Sequence, residues 1–284
     1  MIEFYMVNGQ IVPAADAVLK VNDLATLRGY GVFDFFLVRR GLPMYVDDYV
    51  ARFQRSASLL YLELPVSTEE LKDNIQSLIA ANGLENAAIQ LVLTGGYAAD
   101  GYTPTQPNLL ILERPMPVYQ EEVFTQGVKV LLHQHQRELP EAKTINYLTG
   151  IRLAGNMKQE GAMEILYHDG QSVREGVRSN FFIVTKEDTV VTPKDKLLQG
   201  ITRKNTIVLA QKHFKVEERD VSPQELLAAK EVFITSTTKG AIPVVQIDSH
   251  RIADGKPGRM TLELAKLLQA HDEAYLEKAK AKVA

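Results

Sequence analysis

Four stretches of this chain carry residue types and spacings that could do chemistry together: Lys143 in PEAKTINY, Glu175 in REGVRSNFF, the run Gly200-Ile201-Thr202-Arg203-Lys204, and the turn Thr235-Ser236-Thr237-Thr238. A lysine amine is a nucleophile and a proton carrier once it is neutral. The run at 200 opens an expected helix with two cations, which its macrodipole disfavours. An anion bound by the free N–H groups and the Thr202 hydroxyl would relieve that conflict. Small hydroxyl residues at the end of the strand EVFI can likewise cradle an oxyanion. Each feature alone has a plainer reading, as a solvated charge or a satisfied turn hydroxyl.

The elements that must position these residues can be read from periodicity and punctuation. Asn8 and Gly9 suit a two-residue turn, so residues 2–12 should form a hairpin. A strand is expected over 32–38 and a helix over 49–61, where Val50, Phe53, Ala57 and Leu60 are spaced as one apolar stripe. Ser67 and Glu70 form a capping box for a helix that Gly83 can end. Strands at 88–94 and 108–113 follow, and the segment 114–120, with Pro115 and Pro117, should leave regular pairing. Beyond it, strands are expected near 128–133, 163–167, 180–185, 189–192 and 231–235, with helices near 148–160, 202–213 and 223–229; Asp169-Gly170 marks a turn, and Ser222 with Pro223 and Glu225 a second capped start. The pattern is mixed α/β with a small domain over 1–116, a linker at 117–120 and a larger domain over 121–284.

Composition narrows the function classes. The 284 residues carry a net charge of −3, with 45% hydrophobic and 24% charged residues, an ordinary globular balance without the basic footprint of a nucleic-acid or membrane-surface binder. There is no cysteine, hence no thiolate nucleophile and no thiolate-held metal. His133 and His135 alternate as on a strand, but no third histidine stands near them in sequence to complete a metal site. Neither an export signal nor an apolar stretch long enough to span a bilayer is visible, which leads to the expectation of a cytoplasmic protein.

Taken in order, the motifs resemble the fold-type IV pyridoxal-phosphate-dependent aminotransferase family, from Arg52 and Ser56 (Arg-x-x-x-Ser) through KTINY, Glu175 to Asn180, and Gly200 to Arg203, to Thr237 and Thr238. The resemblance implies pyridoxal 5′-phosphate as cofactor and a two-domain α/β fold. It implies that Lys143 bears the cofactor, with Tyr147 beside the ring and Glu175 partnering the pyridine nitrogen. It also implies that Arg52, Asn180, Ile201, Thr202, Thr237 and Thr238 hold the cofactor, its phosphate above all.

The reaction implied is amino transfer between an amino acid and a 2-oxo acid such as 2-oxoglutarate. D-amino-acid donors are favoured over branched-chain L-amino acids by Arg-Ser-Asn after Glu175 and by Thr-Ser-Thr-Thr. Aminodeoxychorismate lyase shares the same anchors, and a non-catalytic binding protein on this fold is the remaining alternative. The arginine and histidine with which D-amino-acid members trap the substrate carboxylate are absent from TGGYAADGYTP at 94–104. Arg28 and Arg178 are the candidate substitutes, by bidentate pairing, with Phe33 and Thr238 also facing the substrate. The family's loop containing Arg28 reaches a neighbouring subunit, which implies a homodimer with a shared site.

Overall fold

In the computed structural model, which describes residues 2–283, Asn8 takes φ 51° and Gly9 φ 80° in the turn between β1 (Phe4–Val7) and β2 (Gln10–Pro13). The chain then forms α1 (Leu24–Arg28), β3 (Gly31–Arg39), β4 (Leu42–Pro43), α2 (Val46–Leu59), α3 (Thr68–Asn82), β5 (Asn86–Thr94) and β6 (Leu109–Pro115). The six strands make one antiparallel sheet in the order β2-β1-β6-β5-β3-β4. The Ser67 hydroxyl accepts from the Glu70 N–H, and Gly83, at φ 64°, ends α3, as the capping-box reading anticipated. Pairing continues through Arg114 and Pro115 on β6, two residues further than the prolines suggested, because a proline at a strand's last position has no ladder bond to donate.

The rest of the chain supplies α4 (Glu122–Thr125), β7 (Val128–Gln134), α5 (Leu148–Gln159), β8 (Glu164–His168), β9 (Val173–Gly176), β10 (Asn180–Val184), β11 (Thr189–Thr192), α6 (Ile201–Ala210), β12 (Lys215–Glu218), α7 (Pro223–Leu227), β13 (Glu231–Ser236), β14 (Gly240–Ile247), β15 (His250–Arg251) and α8 (Arg259–Val283). A nine-stranded sheet runs β12-β11-β10-β13-β14-β7-β8-β9, with β15 on β14. It is covered on both faces, so its central strands read as unbroken apolar runs. On β10, Phe181 and Ile183 enter one core with Val232 and Ile234 of β13; Phe182 and Val184 enter the opposite core with Phe233, Ala210 and Leu264. Phe182 and Phe233 stack at 4.8 Å.

The chain packs as two compact units, and their membership is not a single cut. Residues 1–117 are joined by 142–146 and 274–284, while 118–141 and 147–273 form the second unit. The sequence reading assigned 142–146 and the C-terminal residues to the larger domain. Residues 142–146 belong with the first unit because they add to the edge of β3: Thr144 bridges Val32, the Phe33 N–H donates to the Lys143 carbonyl at 2.9 Å, and the Ile145 N–H to the Gly31 carbonyl at 3.1 Å. Leu276, from the end of α8, is buried with Leu37, Met44 and Ala88. The 25-residue α8 had no counterpart in the sequence expectations. Its start is capped from outside, by Glu231, whose carboxylate accepts from the Met260 and Thr261 N–H groups. Among the described residues no helix is long and apolar enough to cross a membrane.

Candidate active site

In the first unit, β3, α2 and the added segment converge on Lys143. Arg52 and Ser56 sit four residues apart on one face of α2. The Arg52 guanidinium pairs in bidentate fashion with Asp34 of β3, Nε to Oδ2 at 2.9 Å and Nη2 to Oδ1 at 2.6 Å, and lies 5.1 Å from the Tyr49 ring centroid. Asp34 is fully buried and the Arg52 side chain is only 9% exposed. The buried Ser56 hydroxyl accepts from the Lys143 N–H at 3.1 Å. The Lys143 amine stands 4.3 Å from the centroid of the Phe33 ring, within cation–π range. Phe33 thus contacts Lys143 twice, through its own N–H and through its ring.

In the second unit the centre is Glu175, on β9 and 5% exposed. Its Oε1 accepts from Arg137 Nε at 2.8 Å and its Oε2 from the Leu198 N–H at 3.0 Å. Two donors to the charged form, one of them a cation, favour the carboxylate over the acid. Arg137 also donates to the Pro140 carbonyl, which orients its fork. Asn180, expected to hold the cofactor, is engaged with the backbone: its Nδ2 donates to the Leu198 carbonyl at 2.8 Å. The Leu198 peptide is therefore clasped between Glu175 and Asn180. A Cβ on Gly200 would fall 2.1 Å from Asn180 Oδ1, so only glycine lets the loop pass this close.

That loop delivers the start of α6. Gly200 is the N-cap, in extended conformation at φ −67° and ψ 139°, and no side chain caps the helix. The cations that looked misplaced are resolved individually. Arg203 is buried and turns away from the helix start, to the Gln199 amide oxygen, the Pro193 carbonyl and Glu218 at 2.7–2.8 Å; Lys204 is exposed. Asn180 is the register partner of Thr235 across β10 and β13, so the end of β13 lies next to the α6 start. There the Thr235 and Ser236 hydroxyls are buried without a partner. Thr238 bonds the Tyr119 hydroxyl at 3.0 Å.

The remaining expected residues are scattered. Tyr147 is the N-cap of α5, partly buried. Arg28 and Arg178 are exposed, the first donating to the Leu27 carbonyl at 2.9 Å. His133 and His135 both lie against Tyr167, at 6.4 and 4.8 Å between ring centroids. Burial, then the neighbouring Glu164, pushes the Tyr167 phenol up to about 12, so it remains a neutral donor. Sequence reasoning missed Arg137, whose setting in HQHQREL is that of any surface arginine. It missed Asp34 as well, although a lone acid inside the apolar run GVFDFFLV was a usable signal.

The second unit's donor set fits a phosphorylated pyridine. Uncapped helix N–H groups and two unpartnered buried hydroxyls suit a phosphate, and a buried carboxylate held in its charged form suits a protonated ring nitrogen. Comparison with known proteins agrees. Residues 31–247 match the family model for amino-transferase class IV. The D-alanine aminotransferase of Listeria monocytogenes serotype 4b (strain F2365) is 31% identical over 268 residues, 91% of this chain and 92% of that one. Among solved structures, the T.th. branched-chain amino acid aminotransferase with pyridoxamine 5′-phosphate superposes with TM-score 0.89 at 24% identity, covering 97% of this chain and 95% of that one. The 4-amino-4-deoxychorismate lyase of Pseudomonas aeruginosa gives 0.82 at 28%, covering 94% and 98%. With a family model spanning most of its length and a relative 31% identical over 91% of it, the chain belongs to the class IV amino-transferases, whose cofactor is pyridoxal 5′-phosphate.

Proposed function

We propose that this protein transfers an amino group between a D-amino acid and a 2-oxo acid such as 2-oxoglutarate, with Lys143 carrying the cofactor. The observation that carries the reading is Glu175, buried and held as a carboxylate by Arg137 and Leu198 beside an uncapped helix start. The Ile201 and Thr202 N–H groups, the β13-end hydroxyls with Thr237 and Thr238, and Arg52 would hold the phosphate. Pyridoxal phosphate, when bound, supplies an electron sink for the pair left behind as the substrate Cα–H bond breaks. Glu175 would supply the negative charge that keeps the ring nitrogen protonated. Lys143 Nζ would take the substrate Cα proton as a general base and, as a general acid, pass it to the cofactor carbon through which the amino group is transferred. The backbone bonds from Phe33 and to Ser56 keep that amine in place, which is where an effective-molarity gain arises.

Donor chirality rests on Arg-Ser-Asn after Glu175, on Thr-Ser-Thr-Thr, and on the Listeria relative named for D-alanine. Arg28 and Arg178, both exposed, are the candidate clamps for the substrate carboxylate, and Phe33 would line the same site. A homodimer fits the 72% and 73% exposure of Leu148 and Ile151, one turn apart on α5, a helix with no buried residue. The lyase reading draws support from the Pseudomonas structure.

The deciding experiment is the visible spectrum of the protein with cofactor before and after D-alanine, D-glutamate, L-leucine or L-glutamate. Bleaching by a D-amino acid is the expected result. Bleaching by L-leucine alone moves the protein to branched-chain substrates. A band that no amino acid changes favours the lyase, and no band at all overturns the reading.

A further inference from the structure

Besides Asp34 and Glu113, the first unit buries Asp23, a carboxylate outside the proposed chemistry. Asp23 is fully inaccessible, and its three donors are all neutral. Its Oδ1 accepts from the Ala25 N–H at 2.8 Å as the N-cap of α1, while Oδ2 accepts from Thr94 Oγ1 and from Asn108 Nδ2, both at 2.8 Å. Asn108 in turn accepts from Asn8 Nδ2 at 2.9 Å. One carboxyl group therefore ties the turn before β2, the start of α1, the end of β5 and the residue before β6.

The node fixes two loops to each other. The Leu24 N–H donates to the Gly96 carbonyl at 3.0 Å, the Ala98 N–H to the Asn22 carbonyl at 3.1 Å, and Asp23 bridges Tyr97. Helix α1 has five residues, too few to persist by themselves, and depends on Asp23 at its start and on Gly29, at φ 64°, at its end. Its last residue is Arg28. That guanidinium lies against the other loop, Nη2 3.9 Å from where a Cβ on Gly101 would stand.

We infer that Asp23 is a positioning residue for Arg28: the buried Asp23–Thr94–Asn108 node sets the direction in which α1 presents the arginine that grips the substrate carboxylate. This rests on the proposed role of Arg28. An aspartate is required because three donors converge on it, and an asparagine would turn its own NH2 toward one of them. Misplacing a positioning group by about 1 Å can cost on the order of 10²-fold.

The test measures the amino-acid half-reaction of the holoenzyme for Asp23→Asn, Arg28→Ala and the double variant, with amide hydrogen exchange of residues 24–30 followed in each. Asp23→Asn is expected to raise the half-saturating donor concentration by about tenfold or more. The saturating rate, the visible band and cofactor retention should stay as they are, and exchange in α1 should quicken. The double variant should be no worse than Arg28→Ala, since the same interaction is removed twice. Multiplying effects, or loss of cofactor together with affinity, make the node merely structural and overturn the inference. An unchanged half-saturation in Arg28→Ala, with α1 exchange still quickened by Asp23→Asn, shows instead that the clamp assignment is at fault, and the inference falls with it. Should Asp23→Asn fail to fold, Thr94→Val removes one donor at constant shape and must shift the same constant in the same direction.

Discussion

The two units treat charge in opposite ways around their candidate residues. Around Lys143 the first unit closes its charges on each other: Arg52 and Asp34 form a buried bidentate pair, and the lysine segment is held by backbone bonds from Phe33 and to Ser56. Around Glu175 the second unit clamps one carboxylate and leaves neutral donors open, with an uncapped helix start and buried hydroxyls that have no partner. A paired charge gives a rigid seat; open donors in a dry site gain most when an anion arrives. One region is already neutralised internally; the other keeps donors in reserve.

The largest expected effect tests the seat. Lys143→Ala should cut turnover by about 10²–10⁴-fold or more and abolish covalent cofactor retention while circular dichroism stays native; wild-type turnover in that variant would falsify the assignment of the lysine. Next comes Glu175→Gln. Its new NH2 would face either Arg137 or the Leu198 N–H, so turnover should fall by about 10²-fold or more while the phosphate cradle still retains cofactor. Equilibrium dialysis beside steady-state rates separates the two.

Asp34→Asn should destabilise the protein by about 3–5 kcal/mol in denaturant melts, because it leaves Arg52 buried without its counter-charge. A loss below about 1 kcal/mol would mean that the pair behaves as an exposed one. Ser236→Ala has the opposite signature: removing an unpartnered buried hydroxyl should leave the cofactor-free protein as stable as before, or more so, yet weaken cofactor retention. If both quantities fall together, that hydroxyl has a protein partner and the difference between the regions is smaller than drawn.

The smallest effect is a pH slope. Burial, followed by His133 and Arg137, holds the His135 pKa below its ordinary 6.5. In the window between the folded value and 6.5 the unfolded chain binds the proton and the native one does not, so stability declines as pH falls through that window. His135→Gln should flatten the decline in melts recorded across it.

Much of this was legible in the sequence because it is local. The Asn8-Gly9 turn, the Ser67 and Ser222 caps, the Arg52-to-Ser56 spacing and the apolar runs of β10 and β13 each depend on residues a few positions apart. Local chemistry also anticipated that a helix starts after Gly200 and that a strand ends at the hydroxyl run 235–238. What it could not give was the partner of each polar group. The sequence suggested that Arg203 sat beside an anion, whereas the fold turned it to Glu218; Asn180, expected on the cofactor, holds Leu198.

Those partners lie far along the chain: Ser56 meets Lys143 across 87 positions, Arg137 meets Glu175 across 38, and Asn108 meets Asp23 across 85. The sequence alone determined most of the candidate residues and most of the elements that would carry them, since propensity, capping and periodicity act within a turn or two of the chain. Only the tertiary structure decided which charges are neutralised, which donors stay open, and that residues 142–146 return to β3 to bring Lys143 with them. The reason is physical: a buried polar group must find a partner wherever the packing places one, and sequence separation does not limit that choice.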